Sequence, residues 1–122
     1  MAHYIDGFIL PIPRDGLETY QTVVKQVAKI WKEHGALDYT ENVGDDFSLE
    51  GVGSFFKAVK AAEDEVIIFG WVTFESRQAR DLVNKKVAAD PRMADLIKPL
   101  VNTKRRIFDA ERMLYAGFQP LF

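Results

Sequence analysis

Residues Glu65 to Phe74 read Glu-Val-Ile-Ile-Phe-Gly-Trp-Val-Thr-Phe, and they constrain this chain more than any other stretch. The run is dense in β-branched and aromatic residues, which favours a strand. Successive strand residues point to opposite faces of a sheet. Ile67, Phe69 and Trp71 therefore share one face, and Val66, Ile68, Val72 and Phe74 share the other. A sheet with one wet face alternates apolar and polar residues. This strand is apolar on both sides, so both faces of its sheet need cover.

The rest of the chain supplies cover for one face. Tyr4 to Ile12 reads as a first strand, closed by Pro11 and Pro13. Asp15 and Glu18 have the spacing of a capping box, and a helix follows from about Gly16 to His34. Its apolar stripe is Leu17, Tyr20, Val24, Val27, Trp31 and His34. Gly35 suits the left-handed position that stops a helix. Leu37 to Val43 reads as a second strand, with Gly44-Asp45-Asp46 as a turn. Segment 47–64 is ambiguous; Ser54-Phe55-Phe56 fits a strand extension or local pairing. Ser76 caps a second helix, which carries Ala79, Leu82, Val83 and Val87 and stops before Pro91. Met93 to Ile97 fits one short helical turn ended by Pro99, and 99–111 is a polar connection. Arg112 to Phe122 reads as a last strand.

The expected order is β-α-β-β-α-β, an α+β fold of the ferredoxin-like kind with both helices on one face of a four-stranded antiparallel sheet. At 122 residues the chain fits one domain, 1–122. The uncovered face would expose a contiguous apolar patch, which monomers rarely do. Burying each large apolar side chain gains roughly 1.5–3 kcal/mol. The simplest cover is the same face of a second copy, which predicts a homodimer.

Composition narrows the function classes. The net charge is −2, without the basic excess of a protein built to hold phosphate backbones. Cysteine is absent, which excludes disulfides, thiolate nucleophiles and zinc–sulfur sites. The start, Met1-Ala2-His3-Tyr4, lacks the pattern of a signal peptide. No apolar run approaches the roughly 20 residues that span a bilayer. These features lead to the expectation of a cytoplasmic protein.

Five strings carry a resemblance. They are Tyr4-Ile5-Asp6-Gly7-Phe8; Trp31 to Leu37; Val43-Gly44-Asp45-Asp46; Val83-Asn84-Lys85-Lys86-Val87 followed by Ala89 to Met93; and Arg112 to Phe118. Together they resemble the YbaA-like family of small bacterial proteins over nearly the whole chain. The pattern departs around 99–111, where the connection is longer and more basic and Ala110-Glu111 replace Gly-Lys. The resemblance implies a dimeric α+β barrel and lends no reaction. That superfamily includes cofactor-free oxygenases, haem-degrading enzymes and isomerases, an analogy of fold only.

Several residues are candidates for chemistry. His34 lies beside Trp31, with Tyr39 just beyond. It is either an acid/base in an aromatic pocket or a helix-end histidine bonded to free carbonyls. Asp6 interrupts an apolar strand and needs a partner; Arg112 is the expected one, holding either an anion or the sheet. The expected ligand is small, aromatic or enolic, and lies between sheet and helices near Trp31, His34, Tyr39 and Trp71, with Tyr39 or Asn84 orienting an oxygen. Arg77, Arg80, Asp81 and Asn84 open the second helix, which either holds a carboxylate or phosphate or is a solvated face with Arg77 and Asp81 at ion-pair spacing. Asp45, Asp46 and Glu50 match no cation loop, so no metal is expected. Gly51-Val52-Gly53 lacks a dinucleotide fingerprint, and no cofactor is expected. Two rivals remain: a non-enzymatic dimeric scaffold, and RNA binding by the sheet face. Phe69 to Phe74 resembles the RNP1 pattern of RNA-recognition motifs, but Ile67 and Ile68 stand where that motif has a basic residue and glycine.

Overall fold

The computed structural model describes residues 3–122; Met1 and Ala2, which open the stretch read for a signal peptide, lie outside the described residues. Strands β1 (Tyr4–Pro13), β2 (Asp38–Val43), β3 (Glu65–Phe74) and β4 (Leu114–Phe118) form one sheet. The strand order is β2-β3-β1-β4, and every neighbouring pair is antiparallel. The helices are α1 (Leu17–Glu33), α2 (Phe55–Ala58), α3 (Arg77–Ala88) and α4 (Pro91–Val101).

Register sorts the side chains. Tyr4, Asp6, Phe8, Leu10 and Ile12 of β1 are buried, and they pair with Phe74, Val72, Gly70, Ile68 and Val66 of β3. The apolar side chains among them face Tyr20, Val23 and Val27 of α1 and Val83 and Val87 of α3 in one core cluster. The opposite face carries Phe69, Leu114 and Phe118, which are 43%, 45% and 54% exposed. Trp71 is on that face too, edge-on to Phe69 with ring centroids 5.9 Å apart.

Several boundaries differ from the sequence reading, each for a local reason. Asp15 does not cap α1: Arg14–Gly16 form a 3-10 turn, and no side chain bonds to the helix start. Segment 47–64 does not extend a strand. Ser54 instead accepts a hydrogen bond from the Lys57 amide and starts the short α2. Phe55 of α2 packs edge-on to Phe69 at 6.3 Å, so this segment lies against the face away from the long helices. The single turn expected at Met93–Ile97 is a full helix. Asp90 caps it through the Arg92 amide, Pro91 takes the first turn, and Pro99 is tolerated near its end,. The last strand is shorter than Arg112–Phe122, because β4 pairs with β1 only from Leu114 to Phe118. Ser76 caps α3 as expected, and Gly35 ends α1 with φ +120°. Among the described residues no helix is long and apolar enough to cross a membrane.

Candidate functional site

Strand β2 lies at the sheet edge, and its register sets the site. Tyr39 pairs with Val72 and Glu41 with Gly70, so both point to the helix side. Gly70 makes room there. A Cβ at this position would lie 2.5 Å from the Phe8 ring and 2.8 Å from the Thr40 carbonyl oxygen. The Phe8 ring therefore lies across the gap between strands, 6.4 Å from Tyr39 and stacked at 5.8 Å on Tyr115.

Above this aromatic floor is a cavity of about 240 Å³. The sheet contributes Phe8, Tyr39, Glu41, Val72 and Tyr115; α1 contributes Tyr20, Val24, Val27 and Trp31. Met93, Ile97 and Leu100 of α4 close it, with Phe108 and Met113 from the connection to β4. That connection is tied down when the Ile107 and Phe108 amides donate to the Leu100 carbonyl.

Two polar clusters break this apolar lining. The first is Glu41, whose Oε2 accepts from Tyr39 Oη at 2.7 Å while Oε1 accepts from Tyr20 Oη. Burial pushes the Glu41 carboxyl above the ordinary carboxylate range, and the two tyrosine bonds partly offset that,. Burial, reinforced by Glu41, holds the Tyr20 and Tyr39 hydroxyls far above the usual phenol range, so both stay donors. The second is Tyr115, whose Oη donates to Asp6 Oδ2 at 2.7 Å. Burial and Asp6 raise this phenol as well. Behind it, Arg80 Nη1 donates to Asp6 Oδ1 at 3.0 Å and Nη2 to Tyr4 Oη at 3.2 Å.

Of the residues singled out in the sequence, Trp31 and Tyr39 line this cavity. Asp6 stands one hydrogen bond behind it, through Tyr115. His34 does not line it; its Nε2 lies 2.7 Å from Asp90 Oδ2, joining the end of α1 to the start of α4. Asn84 is on α3, outside the lining, with a buried Oδ1 that meets no partner among the described residues.

Two expectations are corrected. Trp71 cannot share the cavity with Trp31, because it is one residue from inward-facing Val72 and so points through the other face,. Arg112 does not pair with Asp6. Register sets Gly117 opposite Asp6, and Arg112 is five residues earlier, about 17 Å along an extended chain. Arg112 instead grips Glu65 at 2.7 and 2.8 Å and Asp109 at 2.7 Å. Likewise Asp81 lies 2.9 Å from Arg80 Nε rather than pairing with Arg77. Asp46 of the acidic loop spends its carboxylate on Ser48, ordinary turn chemistry,.

Sequence reasoning missed Glu41, Tyr20 and Tyr115. The signal for Glu41 was available: it shares strand parity with Tyr39, so a carboxylate stands on the inward side of an edge strand.

A family model described as "Protein of unknown function (DUF1428)" matches residues 3–109. The chain is 35% identical over 118 residues to the uncharacterised protein YbaA of Escherichia coli, covering 97% of this chain and 96% of that one. The YbaA of Shigella flexneri matches to the same extent. Among solved structures, a NipSnap family protein of unknown function from Agrobacterium tumefaciens aligns with a TM-score of 0.58 at 16% identity. The alignment covers 98% of this chain and 88% of that one, a likeness of fold alone.

Proposed function

The chain belongs to the DUF1428 family of proteins of unknown function, and we propose that it binds a small, neutral, largely apolar molecule in the cavity between sheet and helices. The observation that carries this reading is Glu41 with its two tyrosine donors on the wall of an otherwise apolar cavity. Binding sites for small molecules combine an apolar lining with a few convergent polar groups. An aromatic or enolic ligand suits the rings of Phe8, Trp31 and Tyr39. With Trp31 and Tyr39 in the wall, the proton-handling role passes from His34 to Glu41. In this reading Asp6 acts indirectly, by holding Tyr115.

The working form in this reading is a cytoplasmic homodimer, a ferredoxin-like dimeric α+β barrel. Its second copy covers the face that carries Phe69, Trp71, Leu114 and Phe118. A dimer without cargo is the second reading; it rests on the exposed apolar side chains of that face alone, Phe69, Leu114 and Phe118. RNA binding would need the same face free and conflicts with the dimer.

Native mass spectrometry of protein purified from cells without added ligand tests these together. A dimer carrying extra mass supports the ligand reading and gives the ligand's size. A bare dimer shifts weight to the scaffold. A monomer breaks the argument from sheet burial and reopens RNA binding.

A further inference from the structure

We propose that Glu41 is a general base for a neutral, enolisable carbonyl compound, moving a proton off and back onto carbon while the Tyr39 hydroxyl steadies the enolate oxygen. This rests on the cavity being a ligand site.

The lining argues for the substrate class. Among the described residues Glu41 is its only carboxylate, and no lysine, arginine or histidine lines the cavity. A phosphate or carboxylate on the substrate would meet no cation and one anion, so a neutral molecule is selected. A site that merely gripped a hydroxyl would need only an acceptor. Here the acceptor comes with two phenol donors on the same wall, one on each carboxylate oxygen. A base beside hydrogen-bond donors is the equipment for taking a proton next to a carbonyl.

The step balances without any co-reactant. Glu41 takes a proton from the carbon next to the carbonyl. The C–H pair becomes the C=C bond of an enolate, and the carbonyl π pair moves to oxygen. As the carboxylate gains its proton it becomes a weaker acceptor, and the Tyr39 hydroxyl turns to the new oxyanion. Return of the proton to the same carbon restores the substrate; return to a conjugated carbon isomerises it. Burial makes Glu41 a stronger base than an exposed carboxylate, and burial keeps Tyr39 protonated as the donor.

A base of this kind must also meet solvent. Glu41 borders a second hollow of about 190 Å³ between α1 and β2, which Gln21 also lines. It therefore stands between two hollows, one of them open at the sheet edge, where its proton can exchange with water.

The test uses 2-tetralone, a neutral aromatic ketone with acidic C–H bonds, in D₂O. NMR follows both the shifts it induces in the protein and the loss of its α-hydrogen signals. The native protein should bind it and accelerate exchange about a hundredfold or more over buffer. Glu41→Gln should bind it and lose the acceleration. Tyr39→Phe, a milder change that keeps the base, should bind it and exchange about tenfold or more slowly. Binding by the native protein without accelerated exchange overturns the base role and leaves the cavity reading standing. So does acceleration that survives in Glu41→Gln. Absence of binding by the native protein overturns the cavity reading for neutral carbonyl compounds, and the base role with it.

Discussion

Arg80 of α3 reaches the fully buried Asp6 of β1 and holds it at 3.0 Å, while the other oxygen of the same carboxylate accepts the Tyr115 hydroxyl. The guanidinium carbon also sits 5.0 Å from the centre of the Tyr4 ring, a cation–π distance. This cluster fits because Gly117 has no side chain: a Cβ there would lie 2.1 Å from Tyr4 Oη. Removing one partner of a buried pair strands the other's charge. Arg80→Met should therefore cost about 3–5 kcal/mol in urea unfolding. Asp6→Asn leaves Arg80 its second carboxylate, Asp81 at 2.9 Å, and keeps an acceptor for Tyr115, so it should cost clearly less. Equal losses would show that the stranded carboxylate is not the source.

Gly70→Ala tests the cavity floor. The new methyl meets the Phe8 ring and the Thr40 carbonyl at once, and a backbone oxygen cannot yield as a rotamer does. Overpacking of this kind costs about 1–3 kcal/mol. The same change should shift the aromatic NMR signals of Phe8 and Tyr115, whose rings stack.

Tyr39→Phe should move Glu41 further in the direction burial already takes it. A hydrogen bond to a carboxylate favours its charged form, and Tyr39 supplies one of two. Losing it raises the carboxyl pKa. The Glu41 side-chain carbon signal, followed by NMR through a pH titration, should show a higher midpoint in the variant. An unchanged or lower midpoint would contradict the assigned cause.

Stability should bend with pH in two opposite senses. Glu65, held by Arg112, and Asp109, held by the same guanidinium, both lie below their ordinary values of 4.5 and 3.8. The folded state binds fewer protons at these groups than the unfolded chain, so their contribution is full above those values and fades as pH falls through the folded ones. Asp90, held by Arg92 and His34, adds to the same acid limb. Glu41 is raised, so its sign is reversed: ionising it in place costs stability as pH climbs from 4.5 through its folded value. Melting temperatures from pH 2 to 8 should fall at the acid end, and Glu41→Gln should gain on the native protein as pH rises from about 4.5.

Strand β3 was legible because its length and two-sided apolar pattern leave no other reading, and β1 because Pro13 marks its end, although Pro11 is paired within it opposite Ile67. The same parity that made β3 readable also separates Trp71 from Trp31, yet proximity in a list of aromatics suggested a shared pocket. The Asp6–Arg112 pairing failed for want of register, which sequence does not print: neighbouring strands can still set two residues far apart along their length. Ser54 was a visible cap, but the aromatic pair after it read as strand. A ligand space between sheet and helices was expected, but its roof was hidden because α4 supplies it. Asp90-Pro91 is a strong helix start, but Pro99 suggested an early stop, and a single turn could not have roofed the space above Glu41.

Two thioethers, Met93 and Met113, stand in the part of the cavity wall contributed by α4 and the approach to β4. Unbranched and polarisable, such chains refold around whatever lies beside them. In the proposed role, selection would be divided: strict about a hydrogen atom at Glu41, tolerant of outline elsewhere. A chain so arranged would accept a set of guests related by one acidic position rather than by shape, and exchanging either methionine for a branched residue would turn a generalist into a specialist.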